Sequence, residues 1–254
     1  MTAPNRSTIW REFCSFIEWE NRFILTSEMQ GFVDWLKETS SKYALDLDAN
    51  SNTFYRCRSE HYLWKNYPVG SGETADVYGP LPCKEMGPPP REKAKGQRVN
   101  PEGMAYLYVA LSEKTAIAEM RPWLGAELTI GIFSNIEPIR VIDVSRCEPQ
   151  PEFVHLFDSG AEDPAVMETR IWGSINRAFS TPKEPDGMGV RYLATQYLAE
   201  VFKAAGYDAL GYMSALDREG GNLAVFCPHK LQCHDTYSVV VDQVEYRSRR
   251  QGWP

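Results

Sequence analysis

Apolar residues recur at helical spacing at Trp10, Phe13 and Ile17, and again at Met29, Phe32, Val33 and Leu36 behind a Ser27-to-Gln30 capping box. The pattern predicts two amphipathic helices across 8–40. A β-branched and aromatic run, Thr53 to Arg58, then reads as a strand. Between 66 and 103 periodicity gives way to Gly70, Gly72, Gly79, Gly87 and Pro88 to Pro90, which predicts a long excursion rather than regular structure. Periodicity returns with a buried strand over 105–110. Ser112 is placed to cap a helix through Thr115, Ala116, Ile117 and Glu119, with Pro122 to stop it. Further strands are expected at 127–133, 139–144, 208–213, 222–227 and 236–245, and a helix at 192–205 ending at Gly206. The polar, Pro-interrupted stretch 146–190 gives no clear period. Strands with interspersed helices indicate an α+β domain. The divisions expected are a helical N-terminal extension (1–50), the main domain (51–246) and a frayed C-terminal tail (247–254).

Composition narrows the classes of function. The 254 residues, 43% of them hydrophobic, suffice for one sizeable core. No run approaches the roughly 18 apolar residues of a membrane span, and the first residues lack the order of a secretion signal, so a soluble, cytoplasmic protein is expected. With 27 Lys and Arg against 34 Asp and Glu, the net charge of −7 disfavours a nucleic-acid partner. Six cysteines scattered without framework spacing suggest reduced thiols.

Several residues could carry chemistry. Arg56, Arg58 and Arg98 flank the Gly-rich excursion, and an arginine fork suits phosphate oxygens as well as it suits a structural ion pair. Glu119 lies on a helix among Ala116, Ile117, Ala118 and Met120. Neither Lys114 nor Arg121 stands at the spacing of a helical ion pair with it, so it is a candidate for proton handling or for stabilising a cationic transition state. Ser214, at a strand end before a polar turn, could bond a substrate or cap the turn. Cys227, His229, Cys233 and His234 are residue types that zinc accepts, but Pro228 and the spacing favour an ordinary turn, and no metal is expected. There is no G-x-S-x-G elbow, P-loop or G-x-G-x-x-G.

Three blocks, "FYRCR", "MGPPPREKAKGQRVNPEGMAYLYVALSEKTAIAEMRP" and "YLATQYLAEVFKAAGYDALGYMSALDREGGNLAVFCP", fall in order across most of 53–228. Together they resemble the RES-domain family, named for its Arg, Glu and Ser. The G-R-x-N-x-x-G, L-Y-x-A and T-A-x-A-E patterns follow one another at family spacing, with one departure: Gln97 stands where the loop pattern has Gly before the arginine. The resemblance implies an ADP-ribosyltransferase-like α+β fold that degrades NAD, often as the toxin of a bacterial toxin–antitoxin pair.

Carried over residue by residue, the resemblance places the strand arginine at Arg56, the loop arginine at Arg98, the tyrosine at Tyr108, the carboxylate at Glu119, the serine at Ser214 and an asparagine at Asn222. Arg56, Glu119 and Ser214 are the catalytic set it implies. Arg56, Arg58, Arg98, Tyr108, Ser214 and Asn222 are the expected substrate contacts, the arginines on the pyrophosphate and the tyrosine stacked on nicotinamide. NAD would be substrate, with no cofactor. The expected reaction cleaves the nicotinamide–ribose bond and passes ADP-ribose to phosphate or water. The alternatives are ADP-ribosylation of a macromolecule, and a silent NAD-binding or protein-interaction module. The implied partners are NAD, a cognate antitoxin protein and, in an oligomer, further copies of the chain, with no nucleic acid and no membrane.

Overall fold

A computed structural model describes residues 8–70, 72–147, 163–181 and 192–245; the expected tail at 247–254 lies outside them. Helix α1 (Ile9–Ser15) runs into a π-helical turn (Phe16–Glu20), and α2 spans Ser27–Ser40. The cap of α2 is Thr26 rather than Ser27: its Oγ1 accepts from the Met29 amide at 3.3 Å, which moves the expected capping box by one residue. Strands β1 (Ala44–Leu47) and β2 (Thr53–Arg58) follow, then β3 (Tyr62–Gly70) and β4 (Glu73–Gly79).

β3 and β4 correct the expectation of an unstructured excursion, since they form a separate two-stranded hairpin. Gly70 (φ 118°) and Gly72 (φ 84°) adopt left-handed backbone at its tip, where side chains rarely fit, so these glycines make the turn rather than mark its absence. The rest of the excursion, 80–103, is loop with two short 3₁₀ turns.

Next come β5 (Leu107–Ala110), α3 (Glu113–Glu119), β6 (Glu127–Asn135), β7 (Ile139–Asp143), α4 (Pro164–Ser180), α5 (Leu193–Ala204), β8 (Ala209–Met213), β9 (Gly221–Val225) and β10 (Leu231–Val240). Helix α4 lies inside the stretch that gave no clear period. It starts at the Asp163 cap, whose carboxylate accepts from the Ala165 amide, with Pro164 in the first turn where a missing N–H costs nothing. Gly206 (φ 91°) ends α5 in the left-handed conformation, as its position predicts.

The main sheet has eight strands in the order β1-β7-β8-β9-β5-β2-β6-β10. β7 and β8 are parallel, joined by the crossover that carries α4 and α5, and the other neighbours are antiparallel. Strand alternation separates two cores: Ile142, Leu210 and Ala224 face the helices, while Val141, Ala209, Leu223 and Val225 face the other side with Phe54, Leu81 and Met86. A third cluster, including Cys57, Ala116 and Ile130, lies under α3.

The N-terminal extension is part of this body. β1 pairs with β7 at the sheet edge, so 1–50 is not wholly helical. Ile9, Phe13, Ile17, Phe32 and Leu36 lie in one core with Trp172, Leu198 and Phe202. The Trp172 indole N–H donates to Thr39 Oγ1 at 3.2 Å, tying α4 to α2. The two apolar stripes legible in the sequence are therefore the inner faces of helices that pack against α4 and α5, which in turn lie on the main sheet.

Candidate active site

The sheet opens at one place. β2 pairs along its length with β6, but with β5 only at Tyr55 opposite Ala110. Where the strands part, the freed Tyr108 carbonyl accepts from Arg56 Nη1 at 2.7 Å, so a side chain replaces the missing ladder bond. Over this gap lies a cavity of about 490 Å³, lined by Tyr55, Arg56, Gln97, Arg98, Tyr108, Glu119, Tyr192, Tyr212 and Asn222 among others. That size falls in the roughly 300–1,000 Å³ range of small-molecule clefts.

One wall is anionic. Ser112 caps α3 by accepting from the Thr115 amide at 3.1 Å, and the helix ends at Glu119, just before Arg121 turns to φ 49° and Pro122 bars continuation. A carboxylate at a helix C-terminus faces the negative end of the dipole, so Glu119 is placed against its local preference. Two donors offset this: Ser214 Oγ at 2.7 Å and Asn222 Nδ2 at 2.6 Å, both onto Oε1. Oε2 has no hydrogen bond among the described residues. Glu119 itself is exposed, whereas Ser214 and Asn222 are buried. The apolar neighbours of Glu119 in sequence thus misrepresent its surroundings, which are polar and open to the cavity.

Ser214 caps its turn and contacts Glu119 at once. Its Oγ accepts from the amides of Leu216 and Asp217, each at 3.1 Å, which directs its one proton to Glu119. Asn222 sits in β9 opposite both Ala110 and Tyr212, so the sheet register sets its reach.

The facing wall is cationic. Arg56 is half-buried, its Nε is buried without a hydrogen-bond partner, and no acidic side chain pairs with it among the described residues. Burial, then the neighbouring charge of Arg58, draws its pKa down to about 10, which leaves it cationic at neutral pH. Arg98 Nη1 donates to the carbonyls of Phe179 (2.6 Å) and Ser180 (2.9 Å) at the end of α4, and its guanidinium lies 5.7 Å from the Tyr212 ring centre.

The loop that presents Arg98 is wound around Asn100, whose Nδ2 donates to the carbonyls of Lys95, Pro101 and Met104. Helix α5 clamps it: Thr195 Oγ1 donates to the Arg98 carbonyl at 2.7 Å and Gln196 Nε2 to that of Gln97 at 2.8 Å. Gln97, the departure from the loop pattern, is accommodated through its backbone. Tyr108 OH donates to Asn100 Oδ1 at 2.6 Å, so its hydroxyl is committed to the loop while the residue lines the cavity. Burial raises the pKa of Tyr108 and of Tyr212, and both remain protonated donors.

The structure gathers Arg56, Arg98, Tyr108, Glu119 and Asn222 around one cavity, with Ser214 behind Glu119. Arg58 is the exception: it is not among the lining residues, and its Nη2 donates to the Gly87 carbonyl at 2.7 Å. Sequence reasoning passed over Tyr55, Tyr192, Tyr212, Asn100 and Gln196. Tyr212 had a signal, since it precedes Ser214 by two on the same strand face. Among the described residues no group of three or more His, Cys, Asp or Glu is placed to hold a metal ion. Cys233 is instead in contact with Cys83, and burial pushes its thiol up to about 12.

An α+β sheet that parts over a cavity, with a carboxylate on one wall and arginines on the other, has the size and polar lining of a candidate small-molecule site. The family model for the RES domain matches residues 78–247, and the chain belongs to that family. Arg56 precedes the matched range. No curated protein matches the chain. Among solved structures it is similar to the M. tuberculosis MbcT–MbcA toxin–antitoxin complex, at a TM-score of 0.41 and 13% identity, over 80% of this chain and 91% of that one. No helix among the described residues is long and apolar enough to cross a membrane.

Proposed function

We propose that the chain degrades NAD, cleaving the nicotinamide–ribose bond and passing ADP-ribose to inorganic phosphate or water. The observation that carries the reading is the one-sided anchoring of Glu119: Oε1 is fixed by Ser214 and Asn222, while Oε2 has no partner among the described residues at a cavity whose other wall holds Arg56 and Arg98. Arg56 and Arg98 would hold the pyrophosphate. As the C1′–N bond breaks, its electron pair returns to the nicotinamide nitrogen and cancels the ring's positive charge. Positive charge then develops on the ribose, where a fixed carboxylate is worth most. An oxygen of the acceptor bonds to C1′ on the vacated side, and a water acceptor releases its proton. Membership of the RES family supports NAD as substrate, and on that ground the chain is proposed to act as a toxin restrained by a cognate antitoxin in the cytoplasm.

The test is to incubate pure protein with NAD, with and without phosphate, and identify the products. Nicotinamide together with ADP-ribose or its 1″-phosphate is expected. NAD left intact under both conditions would refute the reading, and ADP-ribose found on a protein or nucleic acid would replace it with macromolecular transfer.

A further inference from the structure

Outside the cavity, a second set of polar groups is buried with its hydrogen bonds closed on itself. Thr115, fully buried on α3 one turn before Glu119, places its Oγ1 2.8 Å from Asp217 Oδ2. Asp217 is buried in the turn that carries Ser214, three residues on. A carboxylate only accepts, so Thr115 donates to it, and the Ser112 hydroxyl at 2.7 Å then donates to Thr115. The exposed Lys114 adds a contact to Asp217 Oδ1 at 3.2 Å, which solvent screens. The Asp217 amide in turn donates to Ser214 Oγ, and Ser214 donates to Glu119. The chain of bonds leaves α3 at its cap and returns to it at its last residue. Space is restricted at the same point: a Cβ on Gly220 would lie 2.8 Å from Asp217 Oδ2 and closer still to Thr115 Oγ1.

We infer that Thr115 and Asp217 are positioning residues that set the Ser214–Glu119 contact by locking helix α3 to the Ser214 turn, while touching no substrate. The inference rests on the proposed function for its effect on rate, but not for its effect on geometry. Both are read in Thr115→Val, which keeps the shape and loses the hydroxyl, in Thr115→Ser, which restores it, and in Gly220→Ala, which opens the lock from the other side. Crystal structures should show the Ser214–Glu119 contact lengthened beyond hydrogen-bond distance in Thr115→Val and Gly220→Ala and kept in Thr115→Ser. With activity normalised to the folded fraction from near-UV circular dichroism, kcat for NAD should fall about tenfold in the first two with KM within about twofold, and recover in Thr115→Ser.

An unchanged contact with unchanged kcat in both Thr115→Val and Gly220→Ala would overturn the inference. So would equal losses in kcat and in NAD affinity, which indicate general loosening. If the wild type leaves NAD intact, the proposed function fails, and the contact distances still decide the lock. If Thr115→Val does not fold, Gly220→Ala against wild type carries both readouts.

Discussion

The two walls of the cavity are built on opposite principles. On the anionic wall the side chains hold one another: Ser214 and Asn222 donate to one oxygen of Glu119, and backbone amides hold Ser214. On the cationic wall capacity is left over, since Arg56 gives one bond to the Tyr108 carbonyl and keeps a buried Nε that has no partner among the described residues. An unfilled buried donor costs roughly 1–3 kcal/mol unless a ligand completes it. A carboxylate fixed in advance, by contrast, costs no reorganisation when positive charge appears beside it. The cationic wall is thus suited to hold a charged substrate throughout, and the anionic wall to act when the bond breaks.

The largest expected effect removes both walls at once. Phe13, Ile17, Phe32 and Leu36 are each at most 2% exposed. At about 1.5–3 kcal/mol for each, these four alone approach the whole stability of about 5–15 kcal/mol. A fragment of residues 51–254 should show no cooperative melting by circular dichroism. A folded, active fragment would mean that the N-terminal helices carry nothing for the site.

Asn222→Ala removes a charge-assisted bond of about 1.5–3 kcal/mol from the anionic wall, so kcat should fall roughly 10–100-fold with KM little changed in steady-state assays. Arg56→Ala should do the reverse, weakening NAD binding about tenfold by calorimetry with a smaller change in kcat, because the pyrophosphate is charged in ground and transition states alike. A common pattern for the two variants would erase the distinction between the walls.

How much of this could be read beforehand depended on how local each signal is. Ser112, Glu119 and Pro122 mark the start and end of α3 within eleven residues, and the cap and stop fall where expected. Six of the eight strands of the main sheet are likewise legible to within two residues at each end, whereas β1 is not expected at all and β10 spans Leu231–Val240 rather than 236–245. An amphipathic stripe, however, says that a face is buried and not against what, which is why α1 and α2 read as an appendage. Gly70 and Gly72 look like breakers in isolation, and only the pairing of β3 with β4 turns them into a hairpin. The α4 signal, Asp163-Pro164 with Met167, Ile171, Ile175 and Phe179, was present but lay in polar surroundings that hid it. For the site, residue types pointed to Arg56, Arg98, Glu119 and Ser214, and the resemblance to the RES family added Tyr108 and Asn222. The clamp from Gln196 depends on contacts nearly a hundred residues apart in the chain, which no spacing reveals, whereas Asn100 winds the loop through carbonyls within five residues of it.

Smaller effects sharpen the picture. The Thr115 hydroxyl first, then the Lys114 contacts, lower the pKa of Asp217 below its ordinary 3.8 despite burial. A depressed folded value means that this stabilisation is present above about pH 4 and is lost as pH falls through the lower folded value. The melting-temperature gap between wild type and Asp217→Asn should therefore be constant from neutral pH to about 5 and narrow below 4. A gap that widened on acidification would reverse the sign. The smallest change is expected from Arg58→Ala: with its guanidinium on the Gly87 carbonyl and outside the cavity, NAD affinity should stay within about twofold.

The most direct measurement pairs wild type with Glu119→Gln at matched NAD occupancy, set by calorimetry, and follows release of labelled nicotinamide in a single turnover. Gln keeps the shape of Glu and loses the charge, so binding should be equal within about threefold. Release should slow by roughly 100- to 1,000-fold, the 3–4 kcal/mol lost when a fixed electrostatic partner of a transition state is removed. Equal release rates from equally occupied proteins would contradict the role given to Glu119.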